Sequence, residues 1–158
     1  MRIFPALLVV AFLAVPLRSR TAKEPFTLAI RSEAQSFKAG SPVEIKLSLT
    51  NNSASDLDAS ANISDLTGVD PNFVLDVSDA AGNPVSKRPY EHPELATGHA
   101  ILSRIVKPGK TLEETADLSR VYDLSRPGDY DIQASRRASE TKNPSAVESN
   151  TIKITITP

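Results

Sequence analysis

Cysteine and tryptophan are both absent from this 158-residue sequence, and aromatic side chains make up only 5% of it. Without cysteine there can be no disulfide, no thiolate zinc site, no thiol nucleophile and no lipid-modified cysteine. Stability must therefore come from the core itself. Without tryptophan, and with so few aromatics, the chain is poorly equipped to stack on sugars. Histidine occurs twice, at His92 and His99. No long amphipathic helical pattern and no internal repeat are found, and the length leaves room for one domain of ordinary size.

The first seventeen residues, Met1 to Leu17, carry one basic residue followed by an uncharged and mostly apolar run, and the polar stretch Arg18 to Glu24 follows. Such a run is too short and too broken by proline to span a membrane comfortably, but it suits the apolar region of a secretory signal. We therefore expect a signal peptide over 1–22 and a mature domain over 23–158, secreted or periplasmic, with an uncleaved anchor as the alternative. Removal of Arg2, Arg18 and Arg20 leaves 15 basic against 19 acidic residues, a net charge of about −4. That balance gives no electrostatic reason to bind nucleic acid. An exported domain without disulfides leans toward a bacterial source.

Period-2 alternation predicts strands along the mature chain. Phe26–Ile30 is the first. Pro42–Thr50 is the cleanest, with Val43, Ile45, Leu47 and Leu49 on one face. Turn residues over Phe37–Pro42 separate the two, and Asn51–Asp56 reads as a polar loop. Leu57–Ile63 is a weak strand with Leu57, Ala59, Ala61 and Ile63 inward. Phe73–Ser78 leads into a hairpin loop at Asp79–Pro84, where Gly82-Asn83 are available for positive φ. Ala100–Val106 and Thr111–Leu118 follow, the second with Glu114 as a polar exception on its inward face. Val121–Leu124 has the length of a helical turn. The last strand, Val147–Thr157, turns Ile152, Ile154 and Ile156 inward.

The stretch Leu118 to Ile132 packs a connection, a Pro127-Gly128 turn and the start of a strand into one run, with Leu124 in the connection. Pro127 fixes its own φ and Gly128 tolerates φ > 0. From Tyr130 onward, Tyr130, Ile132 and Ala134 share one face. This run resembles the E-to-F corner of immunoglobulin-like and fibronectin-like sandwiches, in which a tyrosine just inside strand F bonds its hydroxyl back to backbone a few residues upstream. The resemblance implies that Tyr130 is the corner tyrosine. Together with eight or nine strands and regular turn signals, it implies an all-β fold: a single antiparallel Greek-key β-sandwich, immunoglobulin-like and free of disulfides. In architecture it resembles exported bacterial modules of that kind.

Function is read from the loops. Ser86 to Gly98 is the longest irregular segment, and such loops carry function more often than the elements they join. It and the residue after it hold Tyr90, Glu91, His92, Glu94 and His99. Imidazoles and carboxylates on one loop would suit zinc or copper, but the seven-residue spacing of the histidines matches no established ligand pattern. No Gly-x-Ser-x-Gly elbow is present, and both candidate bases sit in one loop, so a hydrolytic triad is not expected. Glu113 and Glu114, adjacent on a strand, point to opposite faces. Asp117, Asp123, Asp129 and Asp131 lack the Asp-x-Asp-x-Asp-Gly run of a calcium loop. Arg136, Arg137 and Lys142 form a small basic spot. Two Asn-x-Ser sequons, at Asn51 and Asn62, would fall on surface segments in a glycosylating host. The expectation is a non-catalytic module with no cofactor, binding another exported or cell-surface protein through its loops or a strand edge. The alternatives are a protease inhibitor acting through sandwich-end loops, and a metal-binding protein using His92 and His99.

Overall fold

A computed structural model describes residues 24–63, 72–89, 100–137 and 146–158. The expected signal, Lys142 and the five loop residues Tyr90, Glu91, His92, Glu94 and His99 lie outside the described residues. In chain order the strands are β1 (Phe26–Ser32), β2 (Ser36–Lys38), β3 (Glu44–Asn51), β4 (Leu57–Asp58), β5 (Ala61–Ile63), β6 (Phe73–Asp79), β7 (Ala100–Leu102), β8 (Ile105–Val106), β9 (Thr111–Asp117), β10 (Gly128–Arg137) and β11 (Ala146–Thr157). One sheet has the order β1-β3-β9 and the other β2-β11-β10-β6. The chain changes sheet between β1 and β2, β2 and β3, β3 and β6, β6 and β9, and β9 and β10, the Greek-key pattern of an immunoglobulin-like sandwich.

Alternation places the core as the sequence predicts. Leu28, Ile30, Ile45, Leu47, Leu49 and Ala116 are buried from the first sheet, and they meet Leu75, Val77, Tyr130, Ile132, Ala134, Ile154 and Ile156 from the second. Each large aliphatic side chain so buried contributes about 1.5–3 kcal/mol. The inward Glu114 of β9 is paired with Arg104, so the one charge on that face is neutralised.

Two expectations need correction. The turn expected over Phe37–Pro42 begins two residues too early, because Ser36, Phe37 and Lys38 form β2, which runs parallel to Thr155–Thr157. The chain crosses from one sheet to the other after β1, and β2–β11 is the one parallel pair among the described residues. A three-residue strand shows no readable alternation. The helical turn expected at Val121–Leu124 sits upstream as a 3-10 turn, Leu118–Arg120. Asp117 fixes it there by accepting from Ser119 N (3.0 Å), Ser119 Oγ (2.6 Å) and Val43 N (3.0 Å).

Where the ladders break, side chains fill in. β4 pairs β8 and β5 pairs β7 in one unbroken register, from Leu57↔Val106 to Ile63↔Ala100. In the gap between them Ala59 N donates to Arg104 O (2.8 Å), and Arg104 N donates to the Ser60 hydroxyl (3.0 Å). A bulge in β11 lies between the pairs Gln133↔Thr151 and Ser135↔Glu148. It shifts the inward phase from Val147 and Ser149 to Ile152, Ile154 and Ile156. There Ser149 Oγ accepts from Ala134 N (2.9 Å), and the Asn150 amide pairs both backbone groups of Ile30 in β1 at 3.0 Å.

Asn51 is the strongest case. Expected to open a surface loop, it ends β3 and is wholly buried. Its Nδ2 donates to Ser55 O (2.8 Å) and Val106 O (2.7 Å), and its Oδ1 accepts from Ser53 N (2.9 Å) and Ser53 Oγ (2.7 Å). Its own N–H and C=O bond Lys110 O and Gly109 N. The first sequon asparagine is thus committed to the interior.

Tyr130 Oη donates to Arg126 O at 2.8 Å, four residues upstream. Gly128 opens β10 at φ +153°, a conformation that side-chain-bearing residues rarely adopt. Leu118, Leu124 and Tyr130 are buried around the turn. Tyr130→Phe is expected to cost about 1–2 kcal/mol and to lower the melting temperature by about 3–6 °C. Asn51→Ala leaves buried carbonyls unpaired and is expected to cost about 2–4 kcal/mol in urea unfolding.

Candidate functional site

The candidate loop is described at both of its stems. After the Asp79–Asn83 turn, in which Gly82 alone takes positive φ (+82°) and Asn83 does not, the chain turns back along the outer edge of β6. Pro84 bridges Ser78, and Val85 N donates to Val77 O at 2.9 Å. The chain then leaves β6 and pairs with the connection between β9 and β10. Lys87 bridges Tyr122, Arg88 N donates to Val121 O (2.8 Å), and Asp123 N donates to Ser86 O (2.9 Å). Arg88 Nε adds a bond to Tyr122 O at 3.2 Å, and Lys87 Nζ lies 6.0 Å from the Tyr122 ring centre. The outgoing stem is β7, paired with β5.

The incoming stem therefore rests on the same connection that builds the corner. Ser86–Arg88 falls within the irregular loop expected from the sequence, because its pairing partner is remote in the chain and Lys87-Arg88-Pro89 has no alternation. Tyr122 falls within Val121–Leu124, where the sequence alone suggests only a helical turn. Tyr122 is buried, and its hydroxyl donates to Leu75 O of β6. The signal available in advance was a second tyrosine six residues before a turn glycine.

The other sequence-predicted groups serve the fold. Asp117 caps the 3-10 turn as described. Asp123 Oδ1 accepts from Ser125 N (3.2 Å), Asp129 Oδ1 from Thr155 Oγ1 (2.7 Å), and Asp131 lies 3.7 Å from Lys153 Nζ. These four carboxylates are each engaged locally and do not converge. The basic spot is corrected: Arg136 faces inward, 6% exposed, with its guanidinium 4.8 Å from the Phe73 ring centre, whereas Arg137 is exposed. Inward burial follows from the parity of β10, which gives Arg136 the face of Tyr130, Ile132 and Ala134. A cavity of about 220 Å³ opens between the β1–β2 crossing and β3, lined by Phe37, Pro42, Glu33, Glu44 and Lys46 among others. It is smaller than the ~300–1,000 Å³ typical of small-molecule sites, and Lys46 is paired with Glu33 across it.

Both buried phenols are held protonated. Burial raises the pKa of Tyr122 above its ordinary value, with the Asp76 charge adding to the effect, and burial, then Asp123, raises that of Tyr130. A folded pKa above the unfolded value means that this stability is complete below about pH 10 and is lost as pH rises through the folded pKa. The melting temperature is thus expected to fall as the pH rises above about 10, in step with phenolate absorbance, and to fall less steeply in Tyr130→Phe.

No protein-family model and no curated protein matches the chain. Solved structures similar in outline include a β-glucosidase from Erythrobacter marinus (12% identity, TM-score 0.45, 84% of this chain) and the C-terminal domain of Wzt (12%, 0.46, 83%). A CARDB domain from Pyrococcus furiosus is also similar (13%, 0.41, 84%). The chain spans 15% of that β-glucosidase, 71% of the Wzt domain chain and 94% of the CARDB chain. The sandwich assignment rests on the strand pairing above.

Proposed function

We propose that this chain is a non-catalytic, exported immunoglobulin-like module that binds another exported or cell-surface protein through the loop Ser86–Gly98. The observation that carries the reading is the anchoring of both stems, Ser86–Arg88 on Val121–Asp123 and Ala100–Leu102 on Ala61–Ile63. A binding loop held at two fixed points loses less conformational freedom on association. Export is supported by the apolar, basic-led first segment of the sequence. The non-catalytic reading is supported by the engagement of Asp117 in a cap, Asp123 in a turn and Asp129 in a cross-strand bond to Thr155.

The same anchoring suits a loop that enters a protease cleft, so inhibition of a secreted protease is the second reading. The test replaces 90–98 with Gly/Ser in the mature domain. Retention of a partner from the exported fraction is expected to fall by about tenfold or more while the melting temperature is unchanged. Equal retention by both forms overturns the loop as the binding face. Titration of the parent against papain-like and subtilisin-like proteases separates the two readings, since inhibition at micromolar excess is expected only of the second.

A further inference from the structure

Four outer strand edges bound the two main sheets, and three of them are occupied or short. On β1 the Asn150 amide takes both backbone groups of Ile30. On β6 the returning chain donates from Val85 N to Val77 O, and the Tyr122 hydroxyl donates to Leu75 O. β2 is three residues long. The fourth edge is that of β9, which pairs with β3 alone. Because Ile30 turns its backbone groups toward Asn150, Ala29 and Arg31 turn theirs toward β3, where they face Ser48 and Lys46. The intervening Leu47 and Leu49 turn toward β9, as Asn51 does in bonding Gly109 and Lys110 and Val43 in bonding Leu118. On β9 the N–H and C=O groups of Glu113 and Thr115 therefore point away from β3, and they meet no partner among the described residues.

The side chains along this edge fit one kind of strand. Glu113 and Thr115 are exposed on the outer face of the sheet, and Thr115 also lines the cavity with Glu44, Lys46, Phe37 and Pro42. Lys46 is paired with Glu33, whereas the Glu44 carboxylate has no partner among the described residues. Glu113 lies 3.4 Å from Arg31, with both side chains more than half exposed. Three carboxylates stand against two cations, so the unmatched charge is negative. The inward flank differs: Leu112 is only partly buried, Ala116 is apolar, and Glu114 between them is already neutralised by Arg104.

We propose that the outer edge of β9 is a docking site for an extended segment of another polypeptide, which adds as a fourth strand to the β1-β3-β9 sheet. Backbone pairing with Glu113 and Thr115 supplies affinity, and the alternation of side chains supplies selection. The segment is basic at alternate positions. One basic side chain meets Glu113, and the next lies across the small Thr115 toward the cavity and Glu44. The positions between are apolar and cover Leu112. A second copy of this edge is a poorer occupant, because it would add its own Glu113 to an uncompensated negative charge. The surface is separate from the loop Ser86–Gly98 and does not depend on the role proposed for it.

The test titrates the purified protein with an acetylated, amidated peptide of four Lys-Val repeats, read by amide hydrogen exchange and nuclear Overhauser contacts. Exchange at the Glu113 and Thr115 amides is expected to slow roughly fivefold or more at saturation, with contacts from the peptide to both residues and to Leu112. A Glu-Val peptide of the same length is expected not to bind. Glu113→Lys, at an exposed position, is expected to weaken the Lys-Val peptide roughly fivefold. Thr115→Pro removes an outward N–H while leaving the β3 ladder its bonds, and is expected to weaken the peptide roughly tenfold. Should Thr115→Pro not fold, Glu113→Lys combined with Glu44→Gln decides in its place. Unchanged exchange at Glu113 and Thr115 with millimolar peptide overturns the site, as does equal binding of the basic and acidic peptides or of the parent and the charge variants. A dimer in sedimentation that Thr115→Pro dissociates assigns the edge to a second copy and overturns it too. The Gly/Ser replacement of 90–98 is expected to bind the Lys-Val peptide like the parent, so failure of the peptide overturns this edge and leaves the loop reading to its own test.

Discussion

The buried amide of Asn51 joins stretches of backbone that cannot otherwise meet. It receives Ser53, reaches Ser55 and Val106, and leaves none of its four hydrogen-bonding positions idle. A sandwich must satisfy every backbone group where its ladders stop, since an unpaired buried carbonyl costs as much as a bond gained elsewhere. This chain repeatedly meets that demand with side chains. Asn150 imitates a strand for Ile30, Ser149 for Ala134, Ser60 for Arg104 and Tyr122 for Leu75.

These substitutions explain how the fold manages without covalent links. The aliphatic faces provide the driving force, but burial has no direction and does not choose between neighbouring registers. The polar stand-ins supply the choice, each fitting one arrangement of the backbone. The bulge in β11 illustrates the point: it reverses which residues face inward, and Ser149 and Asn150 are the residues that make the reversal affordable. Closely related logic pairs Arg104 with Glu114, where a charge on an inward face is retained because its counter-charge arrives from the neighbouring ribbon.

Much of this was legible in advance, and the reason is periodicity. Val43, Ile45, Leu47 and Leu49 alternate without exception, so β3 and its buried face follow directly from the sequence. Tyr130 after Pro127-Gly128 identified the corner, because a local bond of four residues leaves a local signature. What escaped was non-local or too short. The parallel strand Ser36–Lys38 has too few residues for a pattern, and the pairing of Ser86–Arg88 with Val121–Asp123 joins segments with nothing in common but proximity. Asn51 was misplaced for a further reason: the three consecutive small polar residues Asn51, Asn52 and Ser53 read as solvent-facing unless one knows that the first is the end of a buried strand. Of the candidate loop, only its length and irregularity were visible, and its stems became interpretable once the corner was in place.

The burial of Asn51 bears on where such a chain can be made. An oligosaccharide joined to its nitrogen would consume one of the two donor hydrogens and set a bulky hydrophile where Ser55 and Val106 now close over it. In a secretory pathway that attaches sugars to nascent polypeptides, acquisition of the native state would be a race between the transferase and the closure of the first sheet. Molecules that lost the race would stay unfolded, however favourable the remaining core.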